Sequence, residues 1–151
     1  MTDRIQTIRH DDGVVELHLV REDKMNALDS AMFDALITHG EQLREDRSVR
    51  AVVITGRGRA FCAGLDMESF SKMGEGGNMD LLPRTHGIAN KPQYIATVWR
   101  DVPVPVIAAV HGVAFGGGLQ LALGADLRLI TADTRMSVME IKWGLVPDMG
   151  G

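Results

Sequence analysis

Three consecutive glycines, Gly116 to Gly118, stand in front of an apolar segment in the stretch AFGGGLQLALGADLRL, residues 114–129. Glycine offers no side chain for packing and loses the most conformational freedom on folding. A folded chain therefore keeps such a triplet where its backbone must approach another group closely. The neutral Gln120 follows within two residues. Any fold for this chain has to bring this bare backbone, and the buried segment behind it, against something specific.

Short apolar runs and one helical pattern predict the surrounding elements. The segments IQTIRH and VVELHLV indicate a hairpin near the start of the chain. Apolar residues recur at helical spacing over 26–46, where Asp29 or Ser30 can cap the helix. Buried strands separated by helices indicate a layered α/β domain, with ligands bound where strand ends meet helix starts. The runs typical of buried strands lie at 50–56, 104–112 and 126–131.

The composition is that of a single globular domain, which we assign to residues 1–151. Of these residues 45% are hydrophobic and 24% are charged, a balance that can bury a sizeable core. The net charge of −4 argues against a nucleic-acid partner, because binding to phosphates needs a surplus of Lys and Arg. Residues 102–125 carry no charged side chain, but prolines and glycines interrupt them, so no membrane span is predicted.

The one cysteine, Cys62, cannot form an internal disulfide, and the first residues lack the apolar core of a signal peptide. We therefore expect a reducing, cytoplasmic location. A lone cysteine next to Phe61 is typical of a small core residue rather than a catalytic thiol. The five histidines show no HxxxH or HxH spacing, so no metal site is predicted. The sequence also lacks GxxxxGK[ST] and GxSxG, the signatures of a phosphate loop and of a nucleophilic serine.

Two glycine-containing junctions each follow a predicted buried strand. They are RAFCAGLD at 59–66 and GVAFGGGLQ at 112–120. Unpaired N–H groups at a turn or helix start favour an anion, and two of them directed at one oxygen would form an oxyanion hole. The alternative is a pair of tight turns whose glycines only permit close packing.

Glu140 is the most notable acid, because Val138 and Leu145 are among several apolar residues around it in the sequence SVMEIKWGLVP. A carboxylate in apolar surroundings suits a residue that takes up and returns a proton. The alternative is an exposed glutamate that alternates out of a strand. Asp148, eight residues further on, is either a second acid or a turn residue.

Four stretches together resemble the enoyl-CoA hydratase/isomerase family, whose members are also called crotonases. They are KMNAL at 24–28, RAFCAGLDM at 59–67, IAAVHGVAFGGGLQLALGADLRL at 107–129 and MEIKWGLVPDMGG at 139–151. The resemblance implies a crotonase-like ββα spiral of the ClpP/crotonase type, ending before the C-terminal helices that complete the acyl pocket in family members. It also implies assembly as trimers or hexamers and no cofactor beyond the coenzyme A of the substrate.

The resemblance also implies site roles. The thioester oxygen would lie between the backbone N–H groups of Leu65 and Gly117, and the glycine triplet would let the thioester reach the helix end. Lys24 would offer a positive charge to a phosphate of coenzyme A, unless it is only a solvated surface lysine. The implied coenzyme A contacts are Lys24, Ala27, Leu28, Ala63, Leu65, Asp66, Gly116 and Gly117.

Gln120 departs from the pattern of the family's hydratases, which use two glutamates at the positions of Gln120 and Glu140. An amide can hold a water but cannot act as a base. The resemblance therefore favours double-bond isomerisation, with Glu140 moving a proton between carbons 2 and 4. Asp148 matches the position of an extra acid in the family's dienoyl-CoA isomerases, whose other auxiliary aspartate would fall on Gln120, so the choice between mono- and dienoyl substrates stays open. The alternatives are a hydratase in which Gln120 holds the water, and a protein that binds acyl-CoA without catalysis.

Overall fold

The centre of the protein is a five-stranded, mainly parallel sheet in the order β1-β2-β3-β4-β6. We describe residues 3–68 and 81–150 of a computed structural model. Strands β1 and β2 are antiparallel, and the other neighbours in this sheet are parallel. Strands β5 and β7 pair in parallel as a second, two-stranded sheet. The strands are β1 (Ile5–Arg9), β2 (Val14–Leu19), β3 (Ala51–Gly56), β4 (Val106–Val110), β5 (Val113–Phe115), β6 (Leu127–Ile130) and β7 (Arg135–Ser137).

Helix α1 (Ser30–Glu45) begins at a capped turn. The carboxylate of Asp29 accepts a hydrogen bond from the backbone N–H of Met32 at 2.9 Å, which satisfies one of the open amides of the first turn. The buried face of α1, which includes Leu36, joins the core cluster that the sheet residues Leu17 and Ile54 also form. The apolar periodicity of the sequence thus corresponds to the side of α1 that faces the core.

Two further helices lie beside each other. Helix α2 (Lys91–Thr97) begins with a reciprocal capping box between Asn90 and Gln93. In helix α3 (Gly117–Gly124), every residue except Leu123 is buried. Gly124 allows the close contact of the two helices, because a Cβ atom there would clash with the backbone carbonyl of Ala96. Helix α3 is therefore held in a fixed position by packing on almost all sides.

The predicted hairpin, capped helix and strands are confirmed, with one correction. The run at 126–131 forms β6 as expected, but the prediction that it is buried is wrong: all four residues of β6 are exposed, Leu129 by 67%. Strand β6 is at the edge of the sheet, and because its side chains point alternately to the two faces, their exposure means that no element within 3–68 and 81–150 covers either face there. Within the same ranges, no helix is long and apolar enough to cross a membrane.

Candidate active site

The first glycine junction is a loop held on both sides by backbone hydrogen bonds. On one side, the amide of Cys62 donates to the carbonyl of Val113 in β5 at 3.1 Å. On the other side, the amide of Ala63 donates to Met25 at 2.9 Å, and the carbonyl of Gly64 accepts from Leu28 at 2.8 Å. The loop therefore lies between β5 and the segment of residues 25–28.

The second glycine junction lies directly against this loop. Gly64 has a φ of +91°, and a Cβ atom there would lie 2.6 Å from the carbonyl oxygen of Phe115 and 3.6 Å from the amide nitrogen of Gly117. A Cβ atom at Gly118 would clash with the carbonyl oxygen of Cys62. The glycines are needed because two backbone segments pack together here with no room for a side chain. The structure thus brings the two predicted junctions together.

The start of α3 presents open amide groups at this contact. Gly116 precedes the helix with φ 48° and ψ −120°, and its own amide donates to Ser137 at 2.9 Å. The first amide of a helix, here that of Gly117, has no intrahelical acceptor. Among residues 3–68 and 81–150, neither the amide of Gly117 nor that of Leu65 donates a backbone hydrogen bond outside helices and strands. Neither amide is therefore committed to such a backbone acceptor, which is a condition for a donor in an oxyanion hole.

Glu140 extends its carboxylate to the same place from a 3₁₀ turn, Met139–Trp143. The side-chain amide of Gln120 donates to Oε1 of Glu140 at 2.6 Å. Oε2 of Glu140 is buried and has no hydrogen-bond partner within the described part of the chain. A Cβ atom at Gly116 would lie 3.6–3.7 Å from both carboxylate oxygens. The structure therefore places a carboxylate with one unsatisfied oxygen beside the first residue of the glycine triplet.

The surroundings expected for Glu140 need a correction. Its apolar neighbours in the sequence do not enclose it: Val138, Ile141 and Leu145 are exposed, Ile141 by 82%. The carboxylate is instead covered by contacts with α3, which lies 20 residues earlier in the chain. A short 3₁₀ turn cannot place successive side chains in one apolar environment, because they point in different directions.

Two neighbouring residues near the end of the described chain, Asp148 and Met149, differ in burial. Asp148, predicted as an auxiliary acid, is exposed, and its role stays a prediction. The next residue, Met149, was missed by the sequence analysis and is partly buried against the core. A Cβ atom at Gly117 would lie 3.1 Å from its sulfur. The sequence signal that could have predicted the burial of Met149 is the presence of an apolar residue within the turn sequence PDMGG.

The predicted coenzyme A contacts lie on the segment 24–28 and the adjoining loop 63–66. Lys24 is exposed in a 3₁₀ turn, whereas Leu28 is fully buried. A Cβ atom at Gly117 would lie 2.9 Å from Cδ1 of Leu28, so this segment also contacts α3. The carboxylate of Asp66 is buried and ion-paired with Arg21 at 2.7 Å.

Arg21 is a second residue that the sequence analysis missed. Besides Asp66, its guanidinium bonds to the carbonyl of Ala27 at 3.0 Å and lies 3.6 Å from the carboxylate of Asp29. Burial opposes ionisation of Asp29, but the hydrogen bond from Arg4, an amide hydrogen bond and the nearby Arg21 charge outweigh it and lower the pKa of Asp29. Arg21 thus joins the segment 24–28 to the loop by charge-assisted hydrogen bonds.

Asn26 supports the same segment from inside. It is fully buried with a φ of 55°, and its amide oxygen accepts from the backbone N–H of Arg21 at 2.9 Å. Its amide nitrogen donates to the carbonyls of Arg57 and Ala60, at 2.9 and 2.8 Å. Asn26 therefore holds the turn after Lys24 against the start of the first glycine junction, residues 59–66.

Cys62 lies in the core, and burial raises the pKa of its thiol to about 12. A thiol of that kind stays protonated at neutral pH and does not act as a nucleophile. This agrees with its interpretation as a core residue. Among residues 3–68 and 81–150, no group of three or more His, Cys, Asp or Glu is arranged to hold a metal ion.

The chain is similar to several known proteins. The sequence profile described as enoyl-CoA hydratase/isomerase matches residues 9–151. The human mitochondrial protein named enoyl-CoA hydratase domain-containing protein 2 is 37% identical over 93% of this chain and 46% of its own length. The 1,2-epoxyphenylacetyl-CoA isomerase of Escherichia coli is 36% identical over 92% of this chain and 52% of its own.

A solved structure gives the same result. The crystal structure of an enoyl-CoA hydratase from Mycobacterium smegmatis matches with a TM-score of 0.81 and 35% identity, over 97% of this chain and 55% of that one. The chain thus spans about half the length of these relatives. It belongs to the enoyl-CoA hydratase/isomerase family. The predicted crotonase-like α/β fold is confirmed.

Proposed function

We propose that the protein binds an acyl-CoA thioester at this site, forms its enolate and moves a double bond, with Glu140 as the proton carrier. The observation that carries the proposal is the buried, unpartnered Oε2 of Glu140 beside the glycine triplet. A buried carboxylate oxygen without a donor is unfavourable in the free protein, and a substrate proton would satisfy it.

The enolate would be stabilised by the amides of Leu65 and Gly117. Removal of a proton from carbon 2 places negative charge on the thioester oxygen, and fixed N–H donors stabilise that charge without reorganisation. The close contact of Gly64 with the start of α3 supports this assignment, because it holds the two donor segments next to each other. Such a donor contributes about 3 kcal/mol to the transition state in other oxyanion holes.

The proton would then return at carbon 4. Glu140 takes the proton from carbon 2, the electron pair of that C–H bond delocalises into the thioester and the neighbouring double bond, and reprotonation at carbon 4 leaves the double bond at position 2. One carboxylate is sufficient for this cycle, and Gln120 cannot supply a second base. A mouse relative, 32% identical over 97% of this chain and 46% of its own length, is named Delta(3,5)-Delta(2,4)-dienoyl-CoA isomerase.

Coenzyme A would bind along the segment 24–28 and the loop 63–66. Lys24 is exposed at the end of this surface and would meet a phosphate. Asp66 would contribute through its backbone, because its carboxylate is ion-paired with Arg21. The remaining proposed contacts are Ala27, Leu28, Ala63, Leu65, Gly116 and Gly117.

The test is to incubate the protein separately with a 3-enoyl-CoA and a 2-enoyl-CoA and to separate and weigh the products. We expect conversion of the 3-enoyl substrate to an isomer of unchanged mass. A product one water heavier from the 2-enoyl substrate alone would show a hydratase, in which Gln120 holds the water. Binding of both thioesters without any product would show a non-catalytic acyl-CoA-binding protein.

A further inference from the structure

We propose that Gln120 is a positioning residue: it donates a hydrogen bond to Oε1 of Glu140 and so leaves Oε2 as the oxygen that transfers the proton. This inference rests on the proposed function and adds a role for the amide at the position where the family's hydratases have a glutamate. In this role the side chain does not act on the reacting atoms directly. It acts through the carboxylate that does.

The hydrogen bond between the two side chains is short and protected. The amide nitrogen of Gln120 lies 2.6 Å from Oε1 of Glu140, and Gln120 is only 3% exposed. A hydrogen bond to an ionised carboxylate is stronger than one between neutral groups, and it gains strength away from water. The interaction is therefore strong enough to fix the orientation of the carboxylate.

The two partners differ in how firmly their own segments hold them. Gln120 lies on α3, which is buried on almost all sides. Glu140 lies on a 3₁₀ turn in which no residue is fully buried. A glutamate on such a turn has several rotamers open to it, and the amide selects one of them. The rigid helix thus fixes the orientation of the Glu140 carboxylate, which the turn alone would leave variable.

The same bond makes the two carboxylate oxygens unequal. Oε1 accepts the hydrogen bond from the amide of Gln120, whereas Oε2 is buried and has no hydrogen-bond partner among residues 3–68 and 81–150. Both oxygens are close to the start of α3, where the thioester would lie. With Oε1 occupied, a single buried oxygen takes the proton from carbon 2 and gives it back at carbon 4. A proton held in this way exchanges slowly with solvent.

The experiment follows a 3-enoyl-CoA carrying deuterium at carbon 2, in ordinary water. Gln120→Met keeps the length of the side chain and removes the donor, and Leu121→Met is a matched control at a fully buried position of the same helix. For Gln120→Met we expect kcat to fall about 10- to 100-fold with KM within about twofold. We also expect the deuterium recovered at carbon 4 to fall, whereas Leu121→Met retains wild-type values.

The outcomes separate this inference from the proposed function. Gln120→Met with wild-type kcat and deuterium recovery overturns the positioning role, and so does a wild-type enzyme that turns over without any deuterium recovery. Full activity of Glu140→Gln, or no turnover by the wild type, overturns the proposed function itself. If Gln120→Met fails to fold, as judged by thermal unfolding, Gln120→Asn replaces it. That variant keeps the amide but is too short to reach Oε1, and the same loss of kcat is expected.

Discussion

Replacement of Glu140 by glutamine is expected to abolish turnover of a 3-enoyl-CoA while leaving its binding almost unchanged. The amide has the shape of the carboxylate but cannot accept the proton from carbon 2, so we expect kcat to fall at least about 100- to 10,000-fold. The dissociation constant should stay within about threefold, because the proposed contacts of coenzyme A lie on other segments. The measurements are product formation by chromatography and mass spectrometry, and binding by calorimetry.

The control for this variant is Glu45→Gln, which removes the same charge from an exposed position at the end of α1. It should retain wild-type kcat. Undiminished turnover by Glu140→Gln would remove Glu140 from the mechanism. A loss of binding equal to the loss of kcat would assign the residue to substrate binding rather than to proton transfer.

The second large effect is expected for Gly64→Ala. The added methyl would lie 2.6 Å from the carbonyl oxygen of Phe115, at a φ of +91° that an alanine rarely adopts. The loop must therefore move away from the start of α3, which separates the amides of Leu65 and Gly117. Loss of one donor from an oxyanion hole lowers kcat about 100- to 1,000-fold. We expect that loss, together with a lower thermal unfolding temperature.

Gly87→Ala is the control for Gly64→Ala, because it introduces backbone strain without displacing the loop. Gly87 also has a positive φ, +65°, but a Cβ atom there would have no neighbour within 4 Å. This variant should lose about 1–2 kcal/mol of stability and keep its kcat. If Gly64→Ala retains full activity in a folded protein, the contact between the two junctions does not form an oxyanion hole.

The local elements of the fold were predictable because short-range rules determine them. The hairpin followed from alternation of apolar and polar residues, and α1 from its periodicity and the cap at Asp29. The meeting of the two glycine junctions was predictable for a related reason. Glycine in a buried segment often lets another backbone segment approach closely, and at Gly118 the group that approaches is the carbonyl of Cys62.

The partners of the polar side chains were not predictable in the same way. The bond between Gln120 and Glu140 joins a helix to a turn 20 residues later, and the ion pair of Arg21 with Asp66 joins two loops. No local pattern encodes such pairs, because the tertiary fold decides which side chains meet. The exposure of β6 is a similar case, since an apolar run predicts a strand but not what lies beside it.

Exchange of the carbon-2 hydrogens of a saturated acyl-CoA in D₂O tests enolate formation most directly. The substrate has no double bond, so neither isomerisation nor hydration can follow, and a mass increase reports proton removal alone. Because most of the removed protons return to carbon 2 before they exchange with solvent, the account predicts that the wild-type protein incorporates deuterium at carbon 2 slowly, over many cycles of a long incubation, and that Glu140→Gln does so no faster than solvent alone. A wild-type protein that binds the thioester without any incorporation would contradict it.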